Sequence, residues 1–192
     1  QKGQLRADVA ELMANARRNG IYIVAVNNLK LENPEDLKEL CDCYVERYNF
    51  GRDFGSFKWG FCHLIKHGHL DSCPRLLMVN DSVFYSKQRI PTFLDELFNN
   101  DTEVLGATEN FEINHHLGSF CIAIGSPVLR HKKFRKYWKN YLLSDVRPIV
   151  IVRGEMGLSK ALKRCVSSQD QFKALYDSNR FREFVRQLDA TQ

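Results

Sequence analysis

The sequence has 192 residues, of which 44% are hydrophobic, enough for one generous domain with a core of its own. Its longest apolar runs are far shorter than the roughly 18 residues that a membrane-spanning helix needs, so we expect no span. A net charge of +5 is mild and suits contact with phosphates, without requiring a nucleic acid.

The six cysteines are expected to be reduced thiols in a cytoplasmic protein. Several lie in apolar segments rather than in the loop-rich pattern of a disulfide scaffold. Neither Cys41 with Cys43 nor the six histidines show the paired spacing of a zinc site, so no structural zinc is expected. No basic-then-apolar leader follows Gln1, so we expect no signal peptide and a native start upstream.

Hydrophobic periodicity predicts helices and strands that alternate along the chain. In chain order they are a helix over 5–19, a strand over 21–26, a helix over 34–40, a strand over 44–47, a helix from the glycine-bearing loop 49–55 to about 65, a strand over 75–80, a helix over 91–98, strands over 103–107 and 119–124, a helix over 132–143, a strand over 149–152 and a helix over 158–165. The tail from residue 169 is predicted to be helical, with a break near 177–179.

This alternation predicts an α/β fold with a largely parallel sheet covered on both faces. In such folds, ligands bind beyond the carboxyl ends of the strands. We expect one domain over residues 1–168, followed by the helical tail 169–192. The loops that leave the strand ends are the places to look for chemistry.

One of these loops, with its flanking residues 47–58, contains two glycines, two arginines and an aspartate at a strand-to-helix turn. Its backbone amides can approach a phosphate, and Arg52 can pair with that phosphate. The alternative is a tight turn held by an Arg–Asp pair.

A second loop places Asp81 directly after an apolar strand, where a divalent cation bridging a nucleotide diphosphate would sit. Oxygen ligands suit Mg²⁺ or Mn²⁺. The alternative is an Asx-type turn or a helix cap formed by Asn80, Asp81 and Ser82.

Four blocks, in order, resemble the rhamnan synthesis F-like (RgpF-type) polysaccharide glycosyltransferase family. Residues 49–58 (NFGRDFGSFK) resemble its N-R-G-x-D-F-G-A-W-K block, and residues 80–84 (NDSVF) resemble L-N-D-S-V-x-G-P. Residues 116–120 (HLGSF) resemble H-L-Q-S-Y-F, and residues 154–162 (GEMGLSKAL) resemble Y-E-V-G-L-T-x-x-L. The blocks cover roughly residues 20–165.

The resemblance implies a glycosyltransferase-A-like (Rossmann-like) domain that takes a UDP- or dTDP-linked sugar, with Mg²⁺ or Mn²⁺ as cofactor. The domain would add rhamnose- or galactofuranose-like sugars to a bacterial surface polysaccharide such as O-antigen or capsule. Asp81 is the metal ligand by this resemblance, although the usual Asp-x-Asp motif has two carboxylates. The sugar-nucleotide ligands it implies are Asn49, Gly51, Arg52, Asp53, Gly55, Lys58, Asn80, Ser82 and His116. The chain opens on a helix, so a first strand is expected to precede it.

An inverting transferase needs a carboxylate to accept the proton of the acceptor hydroxyl, and Glu155 is our candidate base. It lies between a predicted strand and helix, and its neighbour Arg153 makes a salt-bridged helix start the alternative. His115 and His116 precede an apolar strand, where an imidazole can bind a metal or steady a departing diphosphate. A surface histidine without a role is the alternative.

The helix over 132–143 is amphipathic, with aromatic residues on one face and five basic residues, Lys132, Lys133, Arg135, Lys136 and Lys139. A solvated face is the default interpretation. A sharper one is contact with membrane phosphates or a lipid-linked glycan acceptor at the inner face of the cell membrane. This helix is the sole support for an RNA-binding function, and the sequence has no RRM-like or KH-like motif. Besides the transferase, a catalytically inactive glycan- or partner-binding domain of a larger synthase stays open.

Overall fold

The computed structural model describes residues 3–177, which form a mixed α/β fold. Its elements are α1 (Ala7–Arg18), β1 (Val24–Asn27), α2 (Pro34–Lys38), β2 (Cys43–Glu46), α3 (Arg52–Lys66), α4 (His69–Ser72), β3 (Arg75–Val79), α5 (Ile90–Phe98), β4 (Val104–Asn110), β5 (His116–Leu117), β6 (Cys121–Gly125), α6 (Ser126–Arg130), α7 (Lys132–Asn140), α8 (Arg147–Val150), a π-helical segment (Ile151–Met156), α9 (Gly157–Lys163), a 3₁₀ turn (Gln169–Gln171) and β7 (Phe172–Tyr176).

The prediction of a largely parallel sheet is wrong for the described residues. In the main sheet β6 lies between β3 and β4 and runs antiparallel to both, and β5 also pairs antiparallel with β4. The loop 111–115 between β4 and β5 is too short for a crossover, so the chain turns back beside β4. Parallel pairing occurs between β4 and β7, and between β1 and β2 in a separate two-stranded sheet.

Both faces of the main sheet are buried, as expected from the sequence. Along β6, Ile122 and Ile124 face a core that includes Phe54 of α3 and Trp138 of α7. The alternate residues, Cys121 and Ala123, face a second cluster with Leu97 of α5. This period of two places α3, α7 and α9 on one face and α5 on the other.

Two predicted elements are corrected by the structure. Residues 149–152 were predicted as a strand because Ile149, Val150, Ile151 and Val152 are β-branched, but they continue the helix that begins at Arg147. Pro148 suits a helix start, and burial of Val150 in the main core outweighs strand propensity. The predicted helical tail is wrong over Phe172–Tyr176, because these residues pair with β4. Residues Gln169–Gln171 form a 3₁₀ turn, and the tail beyond residue 177, with most of the break predicted at 177–179, lies outside the described residues.

Candidate functional site

A cleft of about 290 Å³ opens where the start of α3 meets the loop after β4 and the helix that begins at Arg147. Arg52 and Asp53 come from α3, His116 from β5 and Glu155 from the π-helical segment. The remaining residues that line it are Phe54, Asn110, Glu112, Ile113, Ser119, Arg147, Val150 and Ile151. Three separate stretches of the chain, 52–54, 110–119 and 147–155, therefore contribute polar side chains to one cavity.

The cleft begins at a strained turn. Gly51 has φ 86° and Arg52 has φ 49°, the one positive φ of a non-glycine residue within residues 3–177. A left-handed arginine costs on the order of 1–3 kcal/mol and persists only where its surroundings hold it. Asp145 does so: its carboxylate accepts from the Gly51 N–H at 2.7 Å, and its carbonyl accepts from Arg52 Nε at 3.0 Å.

Asp53 is half-buried and accepts two side-chain hydrogen bonds from the loop after β3. Asn80 Nδ2 donates to Asp53 Oδ2 at 2.8 Å, and Ser82 Oγ donates to the same oxygen at 3.3 Å. Burial raises the pKa of Asp53, Ser82 opposes this rise, and the nearby charge of Asp81 adds to it. The first and second sequence blocks therefore meet in space through this carboxylate.

Glu155 lies on the other wall of the cleft. Burial raises its pKa, the charge of His116 opposes this, and the charge of Asp53 raises it further. His116 Nε2 is 3.8 Å from Glu155 Oε2, and the imidazole is 5% exposed. Because His116 Nδ1 lies 2.7 Å from the Asn114 carbonyl, Nδ1 must carry a hydrogen and Nε2 faces the carboxylate.

A close packing contact links the two carboxylate-bearing segments. Gly154 precedes Glu155, and a Cβ at Gly154 would lie 2.8 Å from two ring carbons of Phe54, the residue after Asp53. Glycine is the residue that permits this approach. The segment is π-helical, a departure from α-helix that is common at functional sites.

Several predicted ligands lie outside the cleft lining. Asn49 is exposed in its loop, and Asp81 is exposed although near enough to act on Asp53. Gly55 packs so closely that a Cβ would lie 2.5 Å from the Phe50 carbonyl. Lys58 Nζ donates to the carbonyls of Lys139 and Tyr141, at 3.1 and 2.7 Å, at the end of α7. The predicted ligand roles of these residues stay predictions.

His115 points away from His116. Its Nε2 lies 3.0 Å from Glu109 Oε2, and its Nδ1 lies 3.1 Å from Lys163 Nζ. Its ring stacks on Phe111. His115 therefore joins the loop after β4 to α9, whereas His116 belongs to the cleft.

Sequence reasoning missed Arg147, Asn110, Glu112 and Asp145. Arg147 lies just before residues 149–152, whose apolar run predicts a strand, and this pattern gives no sign of a lining residue. Asp145 holds the Gly51 amide across 94 residues of sequence. Only its place just before a proline-initiated helix, a common site for polar residues, offered any signal.

No metal site is formed by protein side chains alone in the described part of the chain. Between residues 3 and 177, three or more His, Cys, Asp or Glu side chains nowhere come together in a group able to hold an ion. Asp53 already accepts hydrogen bonds from Asn80 and Ser82, and Asp81 stands beside it. The role of Asp81 as a metal ligand therefore stays a prediction.

The cysteines and helices allow two further observations. All six cysteines are free thiols. Within residues 3–177, none of the helices combines the length and apolar composition that crossing a bilayer requires.

Comparison with known proteins agrees with the sequence blocks. The rhamnan synthesis protein F family matches residues 21–164, which include every polar side chain of the cleft. The chain belongs to this family. Its membership associates the chain with polysaccharide synthesis.

Two curated relatives resemble the chain at low identity. An uncharacterized protein, y4gN, of Sinorhizobium fredii is 31% identical over 73% of this chain and 38% of its own length. Virulence protein VirA of Vibrio anguillarum is 32% identical over 74% of this chain and 46% of its own length. The chain therefore spans less than half of these relatives. No solved structure matches it significantly.

Proposed function

We propose that the chain is an inverting glycosyltransferase domain that moves a sugar from a nucleotide-sugar donor to a bacterial surface polysaccharide. Family membership supports a role in polysaccharide synthesis, and the side chains of the cleft support the transfer reaction. The observation that carries the proposal is the half-buried carboxylate of Glu155, with its raised pKa, facing Asp53 and two arginines in one cavity. The donor would be UDP- or dTDP-linked, and the fold would be a variant of the glycosyltransferase-A type.

Glu155 is assigned as the general base. In the proposed step, the acceptor hydroxyl oxygen forms a bond to the anomeric carbon, and the bond from that carbon to the diphosphate breaks on the opposite face. The hydroxyl proton passes to Glu155. A base works best when its pKa is close to the working pH, and burial moves the pKa of Glu155 in that direction. His116 Nε2 lies 3.8 Å from this carboxylate, on one side of it.

Arg52 and Arg147 are assigned to the donor diphosphate. Both line the cleft, and a guanidinium matches two phosphate oxygens at once. Arg52 is held at the turn by a carbonyl rather than by a carboxylate, so its charge is available to an anion. Asp53, fixed by Asn80 and Ser82, is placed to accept hydrogen bonds from sugar hydroxyls.

The proposed step runs on these protein side chains and passes through no metal. A divalent ion at Asp81 stays a prediction, which the assay tests by adding Mn²⁺ or EDTA. The acceptor is proposed to be a glycan or a lipid-linked glycan, met on the cytoplasmic side of the cell membrane.

The deciding experiment is a donor screen with several UDP- and dTDP-sugars, scored by release of free nucleotide in the presence of glycan acceptors. Wild-type protein is expected to turn over one donor, and Glu155→Gln to lose roughly 10²–10⁴ of the rate. Glu39→Gln, an exposed glutamate at the end of α2, is the matched control and keeps the wild-type rate.

The alternative is a catalytically inactive glycan- or partner-binding domain of a larger polysaccharide synthase. Under this alternative, no donor is turned over. Neither UDP nor dTDP at millimolar concentration raises the melting temperature, and Glu155→Gln leaves glycan binding unchanged.

A further inference from the structure

A second cavity runs along one side of α3, apart from the cleft. It is an open groove of about 420 Å³, and its residues on the helix recur every three or four positions, as one helical face does. From α3 and its end these are Gly55, Lys58, Trp59, Cys62, His63, Lys66 and His67; Arg47 and Leu143 close the groove at the start of the helix.

The groove is positively charged. None of the described residues that line it is an aspartate or a glutamate, whereas Arg47, Lys58 and Lys66 are cationic. Arg47 donates to the side-chain oxygen of Asn28 and to the Phe50 carbonyl, and Lys58 donates to two carbonyls. These acceptors are neutral, and the nearby carboxylate of Asp145, which acts on Arg47, is not part of the groove lining. The groove therefore favours an anion.

Aromatic rings form the wall beside these cations. Trp59 is 37% exposed and stacks on His63 with ring centroids 5.3 Å apart and planes 16° apart. His63 in turn lies 4.4 Å from His67. Burial lowers the pKa of His63, and the charges of His67, His69 and Lys66 lower it further, as expected among crowded positive groups. A large flat ring beside cations suits a ligand with an apolar ring face and a phosphate.

The groove and the cleft share one helix. Asp53 lies in the first turn of α3 and Lys66 at its end, so at 1.5 Å per residue they are about 20 Å apart along the helix. The groove also starts close to the cleft, because Leu143 lies 3.0 Å from the Cβ position of Gly51, the residue before Arg52. A ligand that extends along this face of α3 can thus reach the edge of the cleft near Arg52 while its other end lies beside Trp59.

We propose that this groove holds the phosphate-bearing sugar end of the acceptor glycan, with the sugar ring against Trp59 and the phosphate among the cations. The assignment rests on the proposed function, because it names the part of the acceptor that stays away from the reacting hydroxyl. It adds a binding site in which Trp59, Lys66 and His67 select an acceptor that carries a phosphate.

Trp59 itself supplies the assay. The chain has two tryptophans, and Trp138 is fully buried, so a ligand in the groove changes the fluorescence of Trp59. The probes are the 1-phosphates of glucose, galactose, N-acetylglucosamine and rhamnose, with the corresponding methyl glycosides and inorganic phosphate as comparisons. At least one sugar phosphate is expected to give a saturable change, with a dissociation constant on the order of 1 mM.

Variants connect this signal to the groove. Trp59→Phe removes the fluorescence change. By calorimetry, Trp59→Ala raises the dissociation constant roughly two- to tenfold. Lys66→Ala raises it roughly two- to fivefold. Lys87→Ala, which replaces an exposed lysine in the loop between β3 and α5, outside the groove, is the matched control and changes nothing. Glu155→Gln keeps groove binding intact, which separates this site from the cleft.

Three results would overturn the assignment: no saturable change with any sugar phosphate, equal affinity for inorganic phosphate alone, or full displacement of the sugar phosphate by UDP. If the groove binds no sugar phosphate but the protein still turns over a donor, only this inference is removed. Sugar-phosphate binding that responds to Trp59→Ala and Lys66→Ala, in a chain that turns over no donor, removes the transferase and keeps the groove.

Discussion

Gly154→Ala tests whether the contact between the π-helical segment and Phe54 sets the geometry of the cleft. The new methyl carbon would lie 2.8 Å from Phe54 Cδ2 and Cε2 and 3.0 Å from Cγ. The ring is 1% exposed and packs against Trp138 and Tyr141, so it has no free space to move into.

Overpacking of this kind destabilises the folded state by about 1–3 kcal/mol, whereas the exchange of glycine for alanine within a helix stabilises it by about 0.5–1 kcal/mol. We therefore expect the free energy of unfolding to fall by roughly 1–2 kcal/mol. For a chain of this size, each kcal/mol lowers the melting temperature by about 2–4 °C. Since Gly154 and Phe54 adjoin Glu155 and Asp53, the same clash also lowers any transferase rate.

Gly157→Ala in the following turn is the matched control. A Cβ there would meet the Val152 carbonyl at 3.4 Å and Tyr137 at 3.7 Å, which are ordinary contacts. This variant is expected to be as stable as wild type or up to about 1 kcal/mol more stable. Urea unfolding measures both variants.

A double-mutant cycle with Phe54→Leu isolates the clash. Phe54→Leu alone leaves a cavity, but in the Gly154→Ala background the methyl group occupies part of that space, so the two changes should be coupled favourably by about 1 kcal/mol. If Gly154→Ala is as stable as Gly157→Ala, or the two changes are additive, the packing argument is refuted.

Three further predictions concern other parts of the molecule. Burial raises the folded-state pKa of Glu155, so the stability linked to this carboxyl is fully present below its unfolded pKa of about 4.3. That stability is lost as the pH rises through the folded-state pKa. Glu155→Gln should therefore melt at a higher temperature than wild type at pH 7, and calorimetric scans should show the difference closing near pH 4. Lys58→Met should lower the free energy of unfolding by about 1–2 kcal/mol because two carbonyls at the end of α7 lose a charged donor. Lys66 is exposed, so Lys66→Met should leave this free energy unchanged, and equal urea midpoints for the two variants would contradict the prediction. The exposed lysines of α7 are Lys132, Lys133, Lys136 and Lys139. Replacing each by glutamine should weaken the free energy of binding to phosphatidylserine vesicles at low salt, measured by co-sedimentation, by about 1 kcal/mol per lysine, and should leave binding to neutral vesicles unchanged. The same binding in the variants and in wild type would show that this helix does not meet a membrane.

The sequence by itself determined the family and most of the local elements. Seven helices and strands up to residue 107 begin within about three residues of their predicted starts, because apolar residues recur there with the period of a helix or strand. The short blocks around Asp53, Asn80, His116 and Glu155 identify the rhamnan synthesis protein F family independently of the fold, because a family match depends only on residue types and their order.

Tertiary structure alone decided how the strands pair and what faces the cleft. The β-branched residues 149–152 fit strand or helix locally, and packing of Val150 on the main core selects the helix. The tail strand Phe172–Tyr176 forms because the edge of β4 is available to it, a fact that no window of sequence contains. Likewise, Asn80 reaches Asp53 and Asp145 reaches Gly51 across 27 and 94 residues. Such contacts depend on the path of the whole chain, so local periodicity could name the residues of the cleft but could not show which of them meet.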